Sequence, residues 1–148
     1  MKALFSILPL LLLGALPATA EPPTILKCGK LIDVEAQAVL ERQIITVESQ
    51  RISGISSGDQ YAGNGRVIDF SEHTCLPGLI DMHVHLMVAY STSYDLDKIT
   101  FGPPDLALLA AWHAELTLMA GFTTVRDLGD RADVTVALRD AIAKGITI

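Results

Sequence analysis

Apolar positions change their spacing twice along the chain, and the changes divide it into three parts. Residues 3–16 are almost continuously apolar. From residue 24 to residue 70, short β-rich runs cover Thr24 to Lys27, Val39 to Val47, Arg51 to Ile55 and Arg66 to Phe70, separated by Gly, Ser, Asp and Asn. This pattern predicts a small all-β meander. The tract from Ser56 to Gly65 is a loop by composition and lacks the glycine spacing of a phosphate cradle. Beyond Leu76 the pattern alternates between strand and helix. Leu76 to Leu86 is an apolar, strand-like run, and Ala120 to Gly129 holds a second one. Between them, Leu106, Leu109, Trp112 or His113, Leu116 and Met119 or Ala120 recur at helical spacing, which predicts a helix from Asp105 to Ala120 stopped by Gly121. A second helix is predicted from Asp133 to Lys144, ended by Gly145. Pro77 and Gly78 punctuate the boundary between the all-β part, residues 21–75, and the strand-helix part, residues 76–148.

The first apolar run reads as an export signal. Lys2 supplies the positive start, Ala3 to Leu16 the apolar core and Ala18-Thr19-Ala20 the small-residue cleavage site. The core is short against the roughly 20 residues needed to span a bilayer, which favours a cleaved peptide over an anchor. The exported chain is therefore expected in the periplasm or outside the cell, with no membrane attachment. An oxidising compartment permits a bridge between Cys28 and Cys75. Both cysteines sit in apolar, strand-like contexts, however, and the reading favoured by the sequence is two buried thiols.

Half of the residues are hydrophobic and the net charge is −6, as for an ordinary globular protein. The acidic balance argues against a nucleic-acid partner.

The chemistry concentrates in Leu76-Pro77-Gly78-Leu79-Ile80-Asp81-Met82-His83-Val84-His85-Leu86. In a strand, side chains at i and i+2 share a face, about 6.6 Å apart at ~3.3 Å per residue, so Asp81, His83 and His85 stand in file. Two imidazoles so placed can converge their ring nitrogens on one divalent ion. Asp81, one pleat below, either orients a ligand or packs the floor beneath it.

This segment resembles the amidohydrolase superfamily, whose first barrel strand carries P-G-x-I-D-x-H-x-H, here Pro77, Gly78, Ile80, Asp81, His83 and His85. Gly121-Phe122-Thr123-Thr124-Val125-Arg126-Asp127 resembles the second barrel strand of the imidazolonepropionase-like and Xaa-Pro-dipeptidase-like branch. Leu26 to Asp33 with Val67 to Phe70 is similar to the small β-sandwich that precedes the barrel in these enzymes. The fold so implied is α/β, a small β-sandwich leading into a (β/α)₈ barrel. A whole barrel takes roughly 250 residues, so residues 76–148 are expected to be its first two strand-helix units and the chain an N-terminal fragment, inactive alone. The resemblance implies one or two divalent ions, zinc above all, with His83 and His85 as ligands. Further ligands implied by the family are a lysine on the fourth strand, histidines on the fifth and sixth and a proton-shuttling aspartate on the eighth, none of which falls in this chain.

The implied reaction is hydrolysis of a C–N bond in a small amide or dipeptide by metal-activated water. A truncated, non-catalytic remnant or binding module of the same fold is the alternative. The long connection from Met87 to Pro104 belongs to the active-site face of such a barrel. Its Tyr90, Tyr94, Asp95 and Asp97 are substrate candidates, although a solvated loop accounts for any one of them more simply. His113, on the outer helix, reads as structural. Arg126 and Asp127 fall on opposite faces of their strand and are also favoured as structural. The exported chain is predicted to begin at Glu21: N-terminal mass spectrometry of secreted or cell-envelope protein should find that terminus, and an intact Met1 on a membrane-bound form would make the segment an anchor.

Overall fold

The computed structural model describes residues 21–88 and 92–148; residues 1–20, on which the expected export signal falls, and Tyr90 lie outside them. The chain divides into two compact units, one ending at Cys75 and the other starting at Leu76.

The first unit is the β-sandwich part, seen as a four-stranded sheet in the order β3-β2-β1-β4, from β1 (Thr24–Asp33), β2 (Ala38–Glu48), β3 (Arg51–Ser57) and β4 (Arg66–Cys75). β1, β2 and β3 form the expected antiparallel meander. β4 departs from it: instead of following β3, it pairs in parallel with the far side of β1, Thr24 opposite Arg66 and Leu31 opposite Cys75. Parallel partners need a crossover rather than a hairpin, and local periodicity carries no trace of such a pairing.

The ladder between β1 and β4 shifts register between Cys28 and Lys30. Gly29 permits the shift, because a Cβ there would collide with the main-chain oxygen of Ser71. At the same irregularity Ser71 hydrogen-bonds the Asp69 carboxylate and Lys27 Nζ lies 3.2 Å from it, which together hold that carboxyl well down, from 3.8 to about 2.

Both faces of the sheet bury apolar side chains, since Ile44 and Ile45 are successive residues of β2 and point to opposite sides. Ile25, Cys28, Leu31, Ile44 and Ile45 are buried, and Leu26, Leu40, Val47 and Cys75 pack around Cys28, Leu31 and Ile45. Gln43 is buried too, and its amide is satisfied by Glu41 O at 2.8 Å and Ser57 Oγ at 3.2 Å. Cys28 and Cys75 are joined in a disulfide with Cα atoms 5.8 Å apart, which corrects the expectation of two buried thiols. The physical reason is the β1–β4 pairing: it brings two residues 47 apart in sequence to bridging distance.

The second unit follows the order β5 (Leu79–Val84), α1 (Tyr94–Thr100), α2 (Pro103–Met119), β6 (Phe122–Asp127), α3 (Val134–Ala143). β5 and β6 are parallel neighbours, with Leu79 opposite Phe122 and Val84 opposite Asp127. The strand-helix alternation is the one the sequence predicts for the start of a (β/α)₈ barrel. Gly121 ends α2 at φ +97°, a conformation that other residues resist, and its carbonyl accepts a hydrogen bond from Leu79 N at 2.9 Å.

The connection from Met87 to Pro104 is not wholly irregular, because α1 lies within it, with Ser93 Oγ bonded to the Asp97 carboxylate at 2.8 Å.

The core of this unit joins Leu86, Met87, Leu106, Ala110, Val134 and Leu138, with Val84, Phe101, Ala114 and Val125 packed against it. The inward face of α2 therefore runs through Leu106, Ala110 and Ala114, whereas Trp112 and Leu116 face outward. Small residues let the helix approach closely, so the alanines and not the large side chains mark the contact. Ile80 and Met82 on β5 stay more than half exposed.

Closing a chain segment of 47 residues constrains the unfolded ensemble by about 4 kcal/mol in the chain-entropy account. Reduction, or Cys28→Ser, should therefore lower the unfolding free energy by roughly 2–4 kcal/mol in denaturant titrations with and without reductant. Coincident curves would show the bridge to be thermodynamically idle.

Candidate metal centre

His83 and His85 meet at the C-terminal end of β5. His83 lies within the strand and His85 one residue beyond its last residue, Val84. Their Nε2 atoms are 3.3 Å apart, with the rings edge to face at an interplanar angle of 77°. At that distance a ring nitrogen that carries a proton can donate to the other. The separation also fits a metal, since two nitrogens each ~2.0–2.1 Å from a tetrahedral zinc stand roughly 3.3 Å apart. Borderline imidazole donors suit zinc or a similar divalent ion.

Asp81 is placed below the pair, where its Oδ1 accepts a hydrogen bond from His83 N at 2.9 Å. The carboxylate thus touches the main chain of His83 rather than its ring. Among the described residues, no group of three or more His, Cys, Asp or Glu converges on one point, so this segment offers two candidate ligands.

The surroundings of His85 come from β6 and the turn after it. Asp127 Oδ2 accepts from Leu86 N at 2.8 Å and its Oδ1 from Gly129 N at 2.9 Å. Arg126 Nε donates to Met82 O at 3.0 Å. Both residues therefore bind main chain and buttress β5, and neither carries its charge toward the histidine pair as a ligand. Gly129 packs so closely on His85 that a Cβ would overlap Nδ1 and lie 2.9 Å from Cε1. His113 Nδ1 lies 2.7 Å from Leu86 O. A structural role for His113 is legible from its place on the helix but this partner is not, since nothing local links residues 27 apart across a loop.

A cavity of about 230 Å³ opens beside His85. Its walls are largely apolar, from Met87, Val88, Phe101, Leu106 and Leu109, with Gly129, Asp130 and Arg131 on one side. Of the substrate candidates, Tyr94 and Asp97 line it and Asp95 does not, while Tyr90 lies outside the described residues.

The parallel β5–β6 pair, with α2 between its strands and two converging histidines at the C-terminal end of β5, has the arrangement of the start of a hydrolase-type barrel. Residues 74–148 match the amidohydrolase family, and the chain belongs to it. Among solved structures it is similar to a Xaa-Pro dipeptidase with bound methionine in its active site, at 38% identity and a TM-score of 0.78, over 85% of this chain and 31% of that one. It is also similar to a prolidase complexed with N-methylphosphonate-L-proline, at 26% identity and a TM-score of 0.70, over 85% of this chain and 30% of that one. Molinate hydrolase shares the fold at 24% identity and a TM-score of 0.71, over 88% of this chain and 29% of that one. The chain thus spans about a third of the length of these structures. No curated protein sequence matches it.

Gly129→Ala is expected to push the His85 ring aside and part the Nε2 atoms beyond their 3.3 Å. A crystal structure of the variant checks this directly, and an unmoved ring would show that the turn, not the ring, absorbs the added carbon.

Proposed function

We propose that the protein is an exported metal-dependent hydrolase of C–N bonds, acting on a small amide or dipeptide. The observation that carries this reading is the 3.3 Å convergence of His83 Nε2 and His85 Nε2 at the C-terminal end of a barrel-type strand, the face on which such folds place their chemistry. A divalent ion held there supplies Lewis acidity and water of lowered pKa.

His83 and His85 are its ligands in this segment. Asp81 fixes the main chain from which the His83 ring projects. The apolar wall beside His85 seats an apolar part of the substrate and keeps bulk water from that side of the centre. Dipeptides such as Xaa-Pro are the leading substrate class, supported by the similarity to a Xaa-Pro dipeptidase and a prolidase. Export is supported by the leader-like pattern of residues 1–20 and by the Cys28–Cys75 bridge, which suits an oxidising compartment. Two imidazoles alone leave a tetrahedral ion half-coordinated, so tight binding draws on ligands outside this segment.

In the whole protein, His83→Ala and His85→Ala should each abolish tightly held zinc and lower turnover by several orders of magnitude. Elemental analysis of metal per chain, alongside hydrolysis of a dipeptide panel, reads both. Stoichiometric metal and near-normal rates in the two variants would reduce the pair to packing, and zinc without hydrolysis of any amide would point to a binding module instead.

A further inference from the structure

We propose that His113 and Asp127 are positioning residues: together they clamp the main chain at Leu86 and so aim His85 at the metal. The inference rests on the metal-binding reading of the histidine pair.

The regular ladder of β5 ends at Val84, so His85 needs other means of being held. Its conformation is set by the peptide planes on either side of it. On the N-terminal side, Val84 O accepts from Leu128 N at 3.1 Å. On the C-terminal side, His85 O accepts from Val88 N at 3.1 Å and Leu86 N donates to Asp127 Oδ2 at 2.8 Å. Both planes are therefore pinned, and with them the two torsions of His85. The next plane is held in turn by His113, whose Nδ1 lies 2.7 Å from Leu86 O. A carbonyl only accepts, so His113 carries its proton on Nδ1 in this contact.

Leu86 and Met87 are buried, and water cannot easily replace these bonds when a partner is removed. An unsatisfied buried main-chain group favours a shift of the backbone. A backbone rotation of 10–20° would move a histidine ring by roughly 1 Å, beyond the tolerance of a preorganised site.

His113 and Asp127 come from different elements, α2 and β6. The clamp thus ties one ligand to the two neighbours of its strand, which is how an outer group tunes a ligand that it never touches.

The test measures zinc affinity by chelator competition, together with the melting temperature, in the whole protein. His113→Ala and Asp127→Ala are each expected to weaken zinc binding 10–100-fold. In His113→Asn the amide nitrogen stands close to where Nδ1 stood and can donate to Leu86 O, so this variant should recover affinity to within about threefold of the unsubstituted protein. Leu138→Ala truncates the same core from α3 and serves as the control, lowering the melting temperature while leaving zinc affinity within about twofold. A His113→Ala affinity within twofold of the unsubstituted protein would overturn the clamp alone. So would a Leu138→Ala loss equal to that of His113→Ala. Failure of the unsubstituted protein to bind zinc would overturn the metal reading and the clamp with it.

Discussion

The carboxylate of Asp127 accepts hydrogen bonds from Leu86 N and Gly129 N, and it binds the end of β5 to the turn that leaves β6. Charge-assisted bonds of this kind are worth about 1.5–3 kcal/mol each where water is excluded. Their value here is geometric as well. Two parallel strands stop within one residue of each other, Val84 opposite Asp127, and beyond that point no ladder specifies where the chain goes. A side chain with two acceptor oxygens extends the pairing past the strands. His85, the contact of Gly129 with its ring and the cavity beside it lie just past that junction.

The glycines of the two recognised segments acquire a physical reason in this arrangement. A Cβ on Gly78 would overlap the Thr123 hydroxyl across the β5–β6 pair, and one on Gly129 would overlap His85. Neither site has room for a side chain. The small residues are what allow the strand and the turn to come close enough for the histidines to be gripped.

In the first unit the corresponding constraint is the parallel pairing of β4 with β1. It brings Cys75 against the cluster of Cys28, Leu31 and Ile45, and the disulfide makes that pairing covalent.

Much of the candidate site was legible from residues 76–86 and 120–129, because strand side chains repeat every second residue and H-x-H needs nothing beyond that period to share a face. Helix stops at Gly121 and Gly145 and the alternation of strand and helix are likewise local, written in spacing and in residues that tolerate positive φ. The inward face of α2 is only half legible: helical spacing points to Leu106, but close packing selects Ala110 and Ala114 over Trp112 and Leu116. Nothing local encodes the β1–β4 pairing, the bridge between Cys28 and Cys75, or the hold of His113 and Asp127 on Leu86, since each joins residues 27 to 47 positions apart. Sequence by itself determined which side chains share one strand face as the candidate ligand pair and the strand that presents them. Only the tertiary structure decided how far apart the two ring nitrogens stand and what keeps them there, because those depend on main-chain groups past the end of a strand finding partners on other elements.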